Sequence, residues 1–243
     1  MNTTTLTGAG PLYSQVEAIL LARIGAGEWQ PGESLPGEQR LAAALNVSQG
    51  TVRKAIDSLV SNNVLVRQQG KGTFVATHDE HRELFHFFHL VGNDGSRVRP
   101  ASQVLSCQRL QATRAIAAAL DLRPRQRIIQ IERVRTLRGV PAIAETITVA
   151  ADRFPDLGKR PHHQLPNTLY ALYEQRYGVT IHRAEEKLRA IAADARDASL
   201  LHHPQGYPLL EITRLALALD AAPVELRVSR CDSAHYHYVN SIV

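Results

Sequence analysis

From Pro11 onward, Leu12, Val16, Ile19, Leu20 and Ile24 recur close to every 3.6 residues and predict a first helix that ends at Gly25 and Gly27. Pro31-Gly32 marks a turn, and Leu41, Ala42 and Leu45 then share one face of a short second helix with Gly37 as its N-cap. Arg40, not an acid, stands at the third helical position, so no capping box forms there. A third helix starts at Ser48, whose hydroxyl can accept from the first amides, while Val47 and Val52 are spaced for a hydrophobic staple. Val52, Ala55, Ile56, Leu59 and Val60 repeat at i, i+3, i+4, i+7 and i+8, the mark of a buried stripe. The other side presents Gln49, Gly50, Arg53, Lys54 and Asp57. After Ser61-Asn62-Asn63, the runs "VLVRQ" and "TFVA" on either side of "QGKG" predict a β-hairpin.

Residues 77–99 are charged, then rich in aromatics, and run into a Gly/Asn/Asp turn; they read as a linker. Beyond them strands and helices alternate: a strand from Ser102, a helix from Thr113, a long hairpin over 127–150 turning near Gly139, and a helix capped by Asn167. A strand from Ile181, a helix from Asp194 and a second hairpin over 208–231 follow. The stretches 117–149 and 198–229 echo each other as helix, Pro-containing loop, strand, turn, strand, with Arg133 aligned to Arg214 81 positions on. Two related halves of one antiparallel sheet, with helices packed on it, produce this pattern, and the class is α+β.

A chain of 243 residues with 44% hydrophobic and 21% charged residues fits two globular domains. No apolar run approaches the ~18 residues a membrane span needs, and the start lacks the pattern of an export signal. The expectation is a soluble, cytoplasmic protein with no membrane partner and with residues 1–10 disordered. Cys107 and Cys231 lack a Cys-x-x-Cys spacing and read as reduced and structural. The histidines, among them His81, His86, His89, His162, His163, His202, His203, His235 and His237, mostly lack helical ligand spacing and carboxylate company. Neither a metal nor another cofactor is expected. Of the net charge of +5, residues 1–78 hold only +1 and the remainder +4. Bulk charge therefore does not locate a binding domain; cations gathered on one face must do so.

Helix, helix, turn, helix, hairpin outlines a winged helix-turn-helix over residues 11–76. The start of its third helix offers free amides and the positive dipole end to phosphate, and Gln49, Thr51 and Arg53 are placed to reach base edges. Gly50 gives up about 0.8 to 1 kcal/mol of helix propensity; close approach to a duplex would explain it, and simple tolerance in a first turn would too. In the hairpin, Gly70 and Gly72 permit positive φ, with Arg67 and Lys71 beside them for phosphates or a minor groove. In the second domain, alternation places Ile129, Ile131, Arg133 and Arg135 on one sheet face. Two arrangements fit: an exposed, solvated Arg pair, or a buried pair that needs Glu145 or a ligand anion.

Residues 11–76 resemble the DNA-binding domain of the GntR family of bacterial transcription regulators through "PLYSQV", "PGESLPGEQRLA", "VSQGTVRKAIDSL" and "VLVRQQGKGTFV". The resemblance implies a homodimer on a palindromic double-stranded DNA operator, with Ser48, Thr51, Arg53, Gly70 and Lys71 at the DNA. Gln39 and Gln49 stand where the family usually has Arg, and Asn63 where it usually has Gly. Residues 100–238 resemble the effector-binding (UTRA) domain of the family's HutC-type branch, whose fold is similar to chorismate lyase. The carriers are "ALDLRPRQRIIQIERVRTLRGVPAIAETITVAADRFPDL", "TLYALYEQRYGV" and "SRCDSAHYHY". This implies a pocket for a small anionic metabolite, such as a phosphosugar, organic acid or amino-acid derivative, held by Arg133, Arg135, Glu145, Thr168 and Tyr170. Arg230 and Tyr236 join the pocket by their place in the closing segment. The expected function is a ligand-responsive repressor, with the effector-binding domain over 100–243. A lyase-like enzyme is the alternative from another class, against which no nucleophile stands beside a base; a non-specific DNA-binding protein is the third.

Overall fold

The computed structural model describes residues 10–77, 88–159, 161 and 164–240. The expectation of disorder over residues 1–9 and the candidate ligands His81, His86, His162 and His163 lie outside these. The chain divides into two compact units, Met1–Thr77 and His78–Val243.

In the first unit, α1 (Leu12–Gly25) buries Val16, Leu20 and Ile24. Leu12, expected in that stripe, is 52% exposed at the first position of the helix. Helix α2 (Glu38–Leu45) starts at Gly37 and ends at Asn46, whose left-handed backbone returns its N–H to Ala42 and Ala43. Helix α3 (Gln49–Ser61) buries Val52, Ala55, Ile56 and Leu59, and Ser48 Oγ accepts from the Thr51 amide at 3.1 Å. Asn63 has φ 57, the left-handed conformation that suits Gly and that Asn tolerates. This accounts for Asn at a position where Gly is usual, and it aims the chain into β1 (Leu65–Gln68). β1 pairs antiparallel with β2 (Gly72–Val75). Backbone bonds Leu35 N to Thr73 O and Val75 N to Glu33 O add residues 33–35 to the hairpin's outer edge.

The second unit is built on a six-stranded antiparallel sheet. Its strands are β4 (Ala101–Gln111), β5 (Arg127–Leu137), β6 (Val140–Ala150), β7 (Ile181–Ala192), β8 (Pro208–Ala218) and β9 (Pro223–Asp232). The order β4-β5-β6-β9-β8-β7 follows from the sequence echo. Each half is a strand, a helix and a hairpin, and the halves meet at β6 and β9. The helices of the two halves are α4 (Arg114–Ala119), capped by Thr113, and α6 (Ala195–Leu201), closed by an Asp194–Asp197 capping box. Through Ala117 and Leu201 these two helices pack on one face of the sheet.

The other face carries α5 (Leu169–Tyr177), whose Leu169, Tyr170 and Tyr173 pack with Ile129, Ile131, Ile147 and Val149 in the main core. Asn167 does not cap α5; the N-cap is Thr168, without a side-chain bond. Asn167 instead accepts from Ser102 Oγ at 2.6 Å and donates to Pro100 O at 2.7 Å. A short strand β3 (Leu90–Gly92) pairs with β10 (Tyr236–Tyr238). Residues 88–92 thus form part of the second unit rather than free linker, because Phe88 and Leu90 bury themselves against Leu137, Ile143 and Cys231.

Candidate functional site

The first site gathers around one acid that sequence reasoning did not single out. Glu38, at the start of α2, receives Arg53 Nε at 2.9 Å, Gln49 Nε2 at 3.3 Å and Arg67 Nη2 at 3.4 Å. Arg67 also reaches Asp57 at 2.7 Å. The Arg53 hydrogen bond holds the Glu38 carboxyl below the usual carboxylate range, with burial opposing it. The expected readers Gln49 and Arg53 and the hairpin cation Arg67 are therefore brought to one point, although they lie 11 to 29 residues from Glu38 in sequence. Thr51 Oγ1 lies 2.8 Å from Ser48 Oγ. Lys54 turns toward α1, its ammonium 4.0 Å from the Tyr13 ring centre.

At the hairpin tip Gly70 (φ 73) and Gly72 (φ 126) have the positive φ expected of them, and the exposed Lys71 sits between. Gly50 differs. It is not among the positive-φ residues, and a Cβ built on it would meet only Ser48 Oγ at 3.9 Å, an ordinary contact. The unit's own fold does not require glycine at position 50.

The second site is on the α5-bearing face of the sheet, where the two halves meet. Arg133 and Arg135 are 1% and 4% exposed, so the solvated arrangement is not the one adopted. Arg133 Nε donates to Glu145 Oε2 at 2.5 Å and Nη1 to the Asn167 carbonyl at 3.1 Å. Its buried Nη2 has no hydrogen-bond partner among the described residues. Glu145 also accepts from Ser229 Oγ at 3.2 Å and lies within 4 Å of Arg135 and Arg227. Burial raises its pKa, but Arg133, Arg135 and Arg227 outweigh that and keep the carboxylate ionised well below the ordinary range.

The second half contributes matching charges. Arg227 chelates Glu225 at 2.9 and 3.1 Å, and Glu225 also accepts from the Tyr170 and Tyr173 hydroxyls at 3.1 and 2.9 Å. Arg214, the counterpart of Arg133, donates from Nε to Glu186 at 2.6 Å, and the Tyr238 hydroxyl bonds the other Glu186 oxygen. These groups frame a cavity of about 370 Å³. Arg135, Glu145, Arg214, Arg227, Glu186 and Ser229 form its polar wall; Phe88, Leu90, Ile143, Ile212 and Cys231 form an apolar one. His89 and Tyr238 complete it and also line an adjoining wider cleft edged by Ala184, Leu188 and Asn240.

Of the expected pocket residues, Arg135 and Glu145 line the cavity. Arg133 stands behind Glu145, and the buried Thr168 and Tyr170 support the cluster from α5 without lining the space. Two expectations are corrected. Arg230 points to the opposite face, as alternation from Ser229 requires, and pairs there with Glu211 at 3.2 Å and Asp197 at 3.4 Å. Tyr236 pairs with Gly92 one side-chain repeat away, and Tyr238 takes the place at the cavity. Replacing Arg230 with Ala is accordingly expected to lower the melting temperature, since the buried Asp197 and Glu211 lose a partner, yet to leave any anion-induced thermal shift unchanged; differential scanning fluorimetry reads both. Sequence reasoning missed Arg227, Glu186, His89 and Tyr238 outright. The signal for Arg214 was its alignment with Arg133. No metal-binding cluster occurs among the described residues, and no described helix is long and apolar enough to cross a membrane.

Comparison with known proteins covers both units. Residues 12–75 match the family described as bacterial regulatory proteins, gntR family, and residues 95–237 the UTRA domain. The chain is 29% identical over 231 residues to the HTH-type transcriptional repressor NagR of Bacillus subtilis, covering 95% of this chain and 94% of that one. It is 32% identical over 212 residues to the histidine utilization repressor of Pseudomonas putida, covering 85% and 82%. A ligand-binding domain crystal structure from Bordetella bronchiseptica superposes with a TM-score of 0.57 at 32% identity, covering 64% of this chain and 96% of that one.

Proposed function

We propose, from the premise that this chain belongs to the GntR family of bacterial regulatory proteins and is a ligand-responsive, DNA-binding repressor of its HutC type, that it binds a palindromic operator as a homodimer and is released by a small anion held in the sheet cavity. The relatives are named as repressors, and the lyase-like alternative falls away with them. One observation carries the anion: the cavity face gathers Arg133, Arg135, Arg214 and Arg227 against only Glu145, Glu186 and Glu225. Buried charge left in surplus is costly, and an anion removes the surplus. Cavity contacts at Phe88, His89 and Leu90 come directly after residues 78–87, which join the two units. A ligand there acts on the connection only as far as it prefers one arrangement of these residues over another.

A thermal-shift screen of anionic metabolites tests this, since a ligand at 100 times its Kd stabilises by ~2.7 kcal/mol. Arg135→Ala is expected to abolish the shift of any hit; an undiminished shift would place the ligand elsewhere.

At the DNA the reading rests on Ser48, Gln49, Thr51 and Arg53 at the start of α3, with the Gly70-Lys71-Gly72 tip as a second contact. Gly50 is part of it. Because the fold leaves room for a Cβ, Gly50→Ala is expected to stabilise the first unit by up to about 1 kcal/mol. The same change weakens operator binding at least tenfold, as the methyl group meets the duplex. Thermal melts and fluorescence anisotropy check the pair; stabilisation with unchanged operator affinity would make Gly50 a tolerated residue only.

A further inference from the structure

The proposed anion site can be sharpened by its charge balance and by its second wall. On the cavity face four arginines meet three glutamates, a surplus of one positive charge. The glutamates are ionised for reasons visible in the structure. Glu145 is surrounded by three guanidinium groups, and Glu225 accepts from two tyrosine hydroxyls and a chelating guanidinium. Burial pushes the pKa of Glu186 up, but Arg214 and the Tyr238 hydroxyl bring it below the ordinary value. Burial, helped by Arg214 and Arg97, lowers the pKa of His89 against the pull of Glu186, so His89 adds no charge at neutral pH. Glu174, on the same side of the sheet, lies against Thr180 beyond the end of α5.

The wall facing these charges is hydrocarbon: Phe88, Leu90, Ile143 and Ile212. Sugar hydroxyls set against it would lose their water without gaining partners. An anion with two negative charges would leave the face one charge short in the opposite sense.

We infer that the cavity takes a singly charged carboxylate on an apolar body, and that Glu186 sets this charge requirement by neutralising Arg214. The inference rests on the anion-responsive reading above and narrows it. Glu186 is a specificity residue supplied by the edge strand β7, and its two carboxylate oxygens tie β8 to β10 through Arg214 and Tyr238 where the cavity meets the wider cleft.

Three probes separate charge from body: phenylacetate, phenyl phosphate and gluconate, titrated into the full chain at pH 8 by isothermal calorimetry. The wild type is expected to bind phenylacetate at least tenfold more tightly than phenyl phosphate, which shares its ring, and than gluconate, which shares its charge. Glu186→Gln keeps an acceptor for Tyr238 and removes one negative charge. It is expected to gain tenfold or more for phenyl phosphate while phenylacetate changes by less than about threefold. Wild-type preference for phenyl phosphate or gluconate, binding of none of the three, or an unchanged order in Glu186→Gln would overturn the inference. The wild-type comparison decides even if the variant folds poorly. If phenyl phosphate binds best and Arg135→Ala abolishes it, only the charge assignment fails. If no anion shifts the wild type in the metabolite screen either, the anion-responsive reading fails with it.

Discussion

Replacing Glu145 with Ala is expected to destabilise the sheet domain by about 3 to 5 kcal/mol, the usual cost of removing one partner from a buried ion pair. Arg133 is 1% exposed and has Glu145 as its only carboxylate partner among the described residues, while Arg135 and Arg227 lose a nearby countercharge. Glu145→Gln retains an acceptor for Ser229 and Arg133 and is expected to cost less. The single tryptophan allows the two units to be followed apart: Trp29 reports on the first, and far-UV circular dichroism is dominated by the strands of the second. In urea the dichroism transition should move to lower denaturant while the Trp29 transition stays in place. The same carboxylate makes the domain acid-sensitive. Its folded pKa lies well below the ordinary 4.5, so its stabilisation is complete above about pH 4.5 and fades as the pH falls further. The wild type should lose dichroism stability below that pH more steeply than Glu145→Gln; parallel losses would remove Glu145 from the account.

Arg53→Ala is expected to lower specific operator affinity on the order of ten- to a hundredfold at fixed salt, the range of one lost base-edge contact. The side chain is 58% exposed and its ion pair with Glu38 lies at the surface, where such pairs add little to stability. The Trp29 transition should therefore barely move. Arg53 and Gln49 share the Glu38 carboxylate, so their direction is set before DNA arrives. Less ordering remains for binding to supply. Equal affinity of wild type and variant for the operator, measured by anisotropy against a scrambled duplex, would remove Arg53 as a reader.

The first domain was legible because its signals are local. Ser48 precedes an unbroken apolar stripe, and Gly70 and Gly72 flank a cation between two β-rich runs. Glu38 was not, since only the angle between α2 and α3 brings it to Arg53. In the second domain the 81-residue echo carried the topology: two equivalent halves joined edge to edge give the observed strand order. It also carried more chemistry than spacing alone revealed. Arg214 repeats Arg133, but the partner position changes sign, with Glu145 opposite Arg133 and Arg227 opposite Arg214. That asymmetry leaves the cavity face with its positive surplus, and no local pattern announces it. Arg230 was misplaced for a simpler reason: it was assigned by its place in the closing segment, whereas its alternation from Ser229 puts it on the other face. Asn167 has the residue type of a helix cap, but Pro100, Ser102 and Arg133 engage it instead.

The most direct test measures the affinity of the full chain for DNA from upstream of its own gene, with and without a carboxylate that produces a thermal shift, at one salt concentration. The account predicts binding at least a thousandfold tighter than to scrambled DNA, weakened tenfold or more by the carboxylate in wild type and unaffected by it in Arg135→Ala. Equal affinity for both duplexes, or operator binding indifferent to a carboxylate that occupies the cavity, would contradict it.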